Sequence, residues 1–248
     1  MSVGFDGTEL AVGSGAIVRH PTGARSLATA WHNLSGRHPE SNSCLSPSGG
    51  VPNQLRLRGC GFDFRANLYS GDNNPNHDQA LFLAHPSGSS TDVALFPIPP
   101  SQRFDHPLHE SFLSPRLNLE LPLRAGQTCF ILGFPEGITH EPLENVIFPI
   151  WKTGHIASEP MFNFGGQPKL LIDATTRRGM SGAIVVVSEN GRNRLVGIYS
   201  GRYKQAPSGN ALEDKRGFTT ELGWVYRAEV ISEIIQRTGP RERSTKPR

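Results

Sequence analysis

Cysteine is scarce in this chain and poorly spaced for cross-linking. The 248 residues hold three, Cys44, Cys60 and Cys129. An odd number of widely separated thiols, with no Cys-x-x-Cys, argues against a disulfide framework or a structural zinc site. Long apolar runs are missing too, since no stretch approaches the roughly 18 residues that a membrane span needs. The opening residues, Met1-Ser2-Val3-Gly4-Phe5-Asp6-Gly7, show no basic segment followed by an apolar one, so no signal peptide is read there. The expectation is a cytoplasmic protein with reduced thiols and no membrane partner, or a secreted one if a leader has been trimmed. An excess of one charge is lacking as well. Lys and Arg number 25 against 22 Asp and Glu, a net charge of +3, and the excess sits largely near the end of the chain. That is a poor footprint for a nucleic-acid partner.

Turn formers, by contrast, are abundant. The chain has 27 glycines and 20 prolines, and 36% of it is hydrophobic. Enough apolar mass for a core, punctuated this often, favours many short strands over a helical bundle. Ala16-Ile17-Val18 and Leu27-Ala28-Thr29-Ala30 flank Pro21-Thr22-Gly23 as a hairpin. Residues 35–53 and 72–78 are polar and read as loops. Leu55-Arg56-Leu57-Arg58 alternates like a half-buried strand. Val93-Ala94-Leu95-Phe96 reads as a strand that stops at Pro97, and residues 97–120 as a connection between halves. Strand signals resume at Cys129-Phe130-Ile131-Leu132, Val146-Ile147-Phe148, Lys169-Leu170-Leu171-Ile172 and Ala183–Val187. Asn190-Gly191 is a hairpin turn into Leu195–Tyr199. The spacing of Val225, Ala228, Ile231, Ile234 and Ile235 predicts a helix over 225–237 with an apolar face, and Gly239-Pro240 supplies its stop. The tail to Arg248 is polar and basic and reads as disordered.

Chemistry gathers first at Arg178-Gly179-Met180-Ser181-Gly182-Ala183. A serine flanked by glycines in a tight turn is exposed, and backbone N–H groups can converge beside it as an oxyanion hole. Such a nucleophile needs a base, usually histidine, and a group that orients it. All nine histidines precede Ser181, the last being His155. This excludes the α/β-hydrolase order of serine, acid, histidine, and Ala183 stands where that fold's nucleophile elbow requires glycine. The order left is histidine, aspartate, serine. His32 follows the apolar stretch Leu27–Ala30, and Asp92 precedes Val93-Ala94-Leu95.

Together, Thr29-Ala30-Trp31-His32, Thr91-Asp92-Val93-Ala94-Leu95 and Gly179-Met180-Ser181-Gly182 resemble the three signatures of chymotrypsin-fold, trypsin-like serine peptidases. Gly13–Val18 resembles the opening strand of their bacterial branch, Gly133-Phe134-Pro135 its Gly-Tyr-Pro element, and Val196–Gly201 its substrate-edge strand. The strings 151–160 and 172–182 resemble a group of bacterial trypsin-like peptidases. The match runs from about residue 10 to 236. It implies an all-β fold of two six-stranded antiparallel β-barrels packed face to face, with a C-terminal helix. Residues 1–120 would carry His32 and Asp92, 121–236 would carry Ser181 and the helix, and 237–248 would be tail. The barrels would be held by packing, without the cross-links of secreted relatives.

The resemblance further implies a serine endopeptidase acting on polypeptides. Ser181 would be the nucleophile, His32 the base and Asp92 its orienting partner. Backbone N–H groups of Gly179 and Ser181 would form the oxyanion hole, and no cofactor or metal would be needed. Thr175, Thr176, Tyr199, Ser200 and Gly201 would line the substrate side. Met180 stands where vertebrate digestive members place an Asp that pairs with a new N-terminus, so that activation switch is absent. Thr175 stands where Arg- or Lys-cleaving members place an Asp. Glutamate-specific relatives use a Thr nearby but a His where this chain has Tyr199, so glutamate preference with Arg202 as charge partner, or a small or apolar preference, both stay open. So does a weakly active or inactive peptide-binding module on the same fold. Gating by a regulatory partner or a loop is expected of a peptidase in the cytosol.

Other motifs carry less. Asp72-x-Asn74-x-Asn76 begins like a calcium loop but has His77 at its sixth position and Leu83 at its twelfth, where Gly and Glu are needed. His106, His109 and Glu110 lack a helical pattern or further ligand and read as surface loop.

Overall fold

A computed structural model describes residues 1–59, 62–102, 122–138, 140–143, 146–174, 176–189, 192–203 and 221–238. Several sequence expectations therefore lie outside the described residues: Cys60, most of the 97–120 connection with His106, His109 and Glu110, Thr175, the Asn190-Gly191 turn and the tail from Gly239.

The N-terminal lobe is built from two four-stranded antiparallel sheets. In the first, β1 (Ser2–Phe5), β2 (Thr8–Val12), β5 (Gln54–Gly59) and β6 (Phe62–Asn67) run in the order β2-β1-β5-β6. In the second, β3 (Ala16–Arg19), β4 (Arg25–Thr29), β7 (Leu83–Ala84) and β8 (Ala94–Ile98) run β3-β4-β8-β7. The β1–β2 hairpin turns on Asp6-Gly7, both at positive φ, with Phe5 opposite Thr8. Two residues of left-handed backbone match the twist of the strands, which is why Asp-Gly serves there. Alternation in β5 buries Leu55 and Leu57. They join Val3, Ile17, Leu27, Phe96 and Ile98 in one core shared by both sheets.

Pro97 does not stop β8 as its sequence suggested. The strand runs through it to Ile98, with Pro97 opposite Ser26 of β4. The partner on the other side, β7, reaches only as far as Leu95, so at Pro97 that edge is open. A missing N–H does no harm on an unpaired edge.

The C-terminal lobe is a closed six-stranded barrel. Its strands are β9 (Thr128–Gly133), β12 (Ile150–Ile156), β13 (Lys169–Asp173), β14 (Ile184–Glu189), β15 (Arg192–Arg202) and β16 (Leu222–Arg227), ordered β12-β13-β16-β15-β14-β9. A side hairpin of β10 (His140–Leu143) and β11 (Val146–Phe148) stands apart from it. Ile131, Leu170, Ile172, Val185, Val187 and Tyr199 fill the barrel interior.

The C-terminal helix is shorter than its apolar spacing suggested. Val225 belongs to β16, opposite Leu170 of β13, and the helix α2 spans Glu229–Thr238. Five aliphatic residues at helical spacing can be met equally by a buried strand running into a helix, and the pairing with β13 and β15 settles which residues go where. Val230, Ile231 and Ile234 of α2 pack with Ala28, Val93 and Leu95 of the first lobe and Ile184, Val186 and Ile198 of the second. This shared apolar layer holds the two lobes together.

Candidate active site

Each of the three signatures lands where the two lobes meet. β4 ends at Thr29, and the chain turns into the short helix α1 (Trp31–Ser35), which carries His32. Gly36, in left-handed backbone, ends it, with its N–H returned to the His32 carbonyl at 3.0 Å. Asp92 sits two residues before β8 and is 1% exposed. Its Oδ1 accepts the His32 backbone N–H at 2.9 Å, and its Oδ2 accepts His32 Nδ1–H at 2.7 Å. A carboxylate taken from water needs this many donors, and the two bonds fix both the position and the tilt of the imidazole. With Nδ1 committed to Asp92, the hydrogen bonding assigns the neutral ring's lone pair to Nε2. Burial works to lower the His32 pKa, but the charge and hydrogen bond of Asp92 outweigh it, and the net value lies above the ordinary 6.5.

A third donor to Asp92 comes from the second lobe. Ser200 Oγ–H donates to Oδ2 of the same carboxylate. Ser200 reaches it because β15 is irregular there: Tyr199 pairs with Val225 and Gly201 with Trp224, leaving Ser200 as an extra residue without a partner. Such a bulge re-aims a side chain that a regular ladder would have turned elsewhere. The carbonyl of Ser200 accepts the Ser181 hydroxyl at 2.9 Å. Ser181 makes no hydrogen bond to His32 in this structure. The two side chains are linked through Ser200 and Asp92.

Ser181 lies in a turn between β13 and β14 that several backbone hydrogen bonds hold. Met180 N–H donates to Arg177 O at 3.2 Å, and Ala183 N–H to Met180 O at 2.9 Å. Gly182 N–H donates to Tyr199 O at 2.7 Å, tying the turn to β15. The Arg178 carbonyl accepts Glu136 N–H at 2.8 Å. In a trans peptide the N–H points opposite to the carbonyl, so this bond turns the Gly179 N–H away from Glu136. Neither the Gly179 nor the Ser181 N–H is taken by a backbone acceptor among the described residues. Two free donors beside a serine hydroxyl are what an oxyanion hole requires. Gly179 has φ +85°, and a Cβ there would lie 2.6 Å from Phe134 O and 2.7 Å from Glu136 N, so only glycine fits.

The expected substrate-side residues divide in two. Ser200 and Gly201 are partly exposed on β15. Thr176 and Tyr199 are each 1% exposed and share a hydrogen bond between their hydroxyls, while the Arg202 guanidinium donates to Thr176 O. Both are buried, and the Tyr199 ring lies in the barrel interior against Gly223. Ser14, Thr29 and Asn33 were not singled out in the sequence as site residues, yet all three are buried against the Ser181 turn. Only the glycines around Ser14 hinted at a close approach.

No protein-family model matches the sequence, and no curated protein matches it. Solved structures do match in shape. The active form of the Rv3671c protease from M. tuberculosis superposes with a TM-score of 0.51, over 95% of this chain and 75% of that one, at 17% sequence identity. An inactive form of Rv3671c from M. tuberculosis H37Rv, with a serine-to-alanine substitution, gives a TM-score of 0.50 over 95% and 83%, at 16% identity. The chain has the trypsin-like serine-protease fold. Asn33, the residue after His32, reaches the Ser181 carbonyl across 148 positions of sequence, which ties the His32 segment to the Ser181 turn. No helix among the described residues is long and apolar enough to cross a membrane.

Proposed function

We propose that this protein is a serine endopeptidase that hydrolyses peptide bonds through His32, Asp92 and Ser181. The observation that carries the reading is the buried Asp92 carboxylate, which holds His32 Nδ1 at 2.7 Å and also takes the hydroxyl of Ser200, whose carbonyl holds Ser181. In the reaction, Ser181 Oγ attacks the carbonyl carbon of the peptide bond as its proton passes to His32 Nε2. Asp92 stabilises the resulting imidazolium and keeps the ring oriented. The negative charge on the carbonyl oxygen is met by the N–H groups of Gly179 and Ser181. The carbon–nitrogen bond then breaks, and His32 protonates the departing amine. Water, deprotonated by His32, hydrolyses the acyl–Ser181 ester and restores the hydroxyl. No step calls for a metal or an organic cofactor.

One observation favours a second reading, a weakly active module. Ser181 rests on Ser200 O, so its hydroxyl must rotate toward His32 before it can react. A fluorophosphonate probe separates the two. The peptidase reading expects labelling of the wild type and none of Ser181→Ala or His32→Ala. An unlabelled wild type, or labelling that persists in Ser181→Ala, overturns it.

A further inference from the structure

Ser14 lies between β2 and β3, in neither strand, and is wholly buried. It uses each of its polar groups on the other lobe or in support of it. Its N–H donates to Ser181 O at 2.8 Å. Its hydroxyl donates to Gly179 O at 2.7 Å and accepts Phe134 N–H at 2.8 Å. Its carbonyl accepts Thr29 Oγ1–H at 2.7 Å. Asn33, one residue after His32, sends Nδ2–H groups to Thr29 Oγ1 at 3.0 Å and to Ser181 O at 2.8 Å. Space for this cluster comes from glycines of the second lobe. A Cβ at Gly182 would lie 2.1 Å from Ser14 O, and one at Gly133 would lie 2.8 Å from Ser14 Oγ.

We propose that Ser14 is a positioning residue for the oxyanion hole, an inference that rests on the serine-peptidase reading. Glycine at 179 has no side chain to fix its two flanking peptides, and either could turn over. A turned 178–179 peptide would put the Arg178 carbonyl where the Gly179 N–H now points. Two hydrogen bonds oppose this. Glu136 N–H holds the Arg178 carbonyl, and Ser14 Oγ–H holds the Gly179 carbonyl. With both carbonyls pinned, the backbone angles on either side of Gly179 are set. The two pins are also coupled. Phe134 N–H donates to Ser14 Oγ, so the segment 134–136 that supplies the Glu136 N–H is anchored to the same hydroxyl. Meanwhile the Ser14 N–H and Asn33 grip the Ser181 carbonyl, which orients the next peptide after the nucleophile. Ser14 touches no reacting atom. It works by holding the donors that do.

The test compares wild type with Ser14→Ala and Ser14→Cys on a peptide substrate and on a peptide aldehyde, whose adduct with Ser181 places an oxyanion in the hole. Misplacing a donor by an ångström costs on the order of 100-fold, so Ser14→Ala is expected to lose about 10- to 100-fold in kcat. KM stays unchanged, and aldehyde affinity falls in step with kcat/KM, the pattern of an interaction felt in the transition state. Ser14→Cys, of similar shape but a weaker donor, falls between the two. A folded Ser14→Ala with wild-type kcat overturns the proposal. So does an activity loss that matches only the lost folded fraction, with aldehyde affinity per folded molecule unchanged. If Ser14→Ala does not fold, Ser14→Cys decides by the same comparison. A wild type that neither labels with fluorophosphonate nor cleaves peptide would instead defeat the underlying function, and the two failures are distinct.

Discussion

Ser181 gives its hydroxyl proton to the backbone carbonyl of Ser200 at 2.9 Å, and the side chain of that same Ser200 reaches Asp92. One bulged residue of β15 thus touches both the nucleophile and the carboxylate that orients the base. Removing the Ser200 hydroxyl leaves a buried carboxylate short of one donor. A hydrogen bond to a charged group contributes about 1.5–3 kcal/mol. Ser200→Ala is therefore expected to lower stability by that order in urea unfolding. If a similar share is lost in orienting His32, kcat falls roughly tenfold or more, since each 1.36 kcal/mol is a factor of ten. Unchanged stability and kcat together would show that the Ser200–Asp92 bond has no energetic role.

His32 and Asp92 set opposite pH trends for activity and stability. The folded His32 pKa lies above 6.5 because of Asp92, so activity, which needs the neutral ring, should rise with pH through a midpoint above 6.5. The stabilisation from charged His32 beside Asp92 is fully present below pH 6.5, the unfolded value, and fades as pH rises through the folded pKa. A pH series of kcat/KM and of thermal unfolding checks both trends.

Asp92→Asn takes away the charge and leaves burial to act alone on His32. The expected activity midpoint moves down, below 6.5, and kcat drops by about 10⁴-fold as the imidazole loses its tautomer control. A midpoint that stays above 6.5 would mean that Asp92 is not what raises the His32 pKa. The kinetic pH profile of the variant reads this directly.

Gly179→Ala introduces a Cβ at positive φ, 2.6 Å from Phe134 O. Neither the backbone nor its neighbours can give way cheaply, so the turn must shift. The expected loss in kcat is about 10²–10³-fold, that of removing one oxyanion donor. Gly201→Ala, whose Cβ would meet nothing within 4 Å, is the control and should fold as the wild type does.

The described thiols should differ sharply in reactivity. Cys129 is fully buried, and burial pushes its pKa up to about 12, which keeps it protonated and unreactive. Cys44 is partly exposed in the loop after α1. Alkylation of the native protein followed by peptide mass mapping should modify Cys44 well before Cys129. Equal rates would show that the barrel of the C-terminal lobe opens readily.

Much of the architecture was legible in the chain. Alternation at Leu55 and Leu57, the Pro21-Thr22-Gly23 turn and the apolar run at 184–187 each carry a local physical signal, and each forms the strand or hairpin it signals. The Asp6-Gly7 hairpin was legible in principle, since the dipeptide itself favours left-handed backbone. Pro97 and Val225 were not. Whether a proline ends a strand depends on whether its edge is paired, and whether an aliphatic run is strand or helix depends on its neighbours. Both answers lie in residues far along the chain.

The sequence by itself determined that His32, Asp92 and Ser181 exist in that order, that Gly179 and Gly182 frame the serine, and that three scattered cysteines make a poor disulfide framework. Tertiary structure decided the rest. It turned Thr176 and Tyr199 inward, brought Ser200 to Asp92 through a bulge, and set Ser14, Thr29 and Asn33 against the Ser181 turn. Packing between lobes had been expected to suffice, and the fold adds a buried polar clamp to it. A hydrogen bond between Ser14 and Gly179 spans 165 positions, and no local pattern records it. Polar side chains declare their partners only when burial takes them from water and the nearest acceptor is one that the fold has delivered.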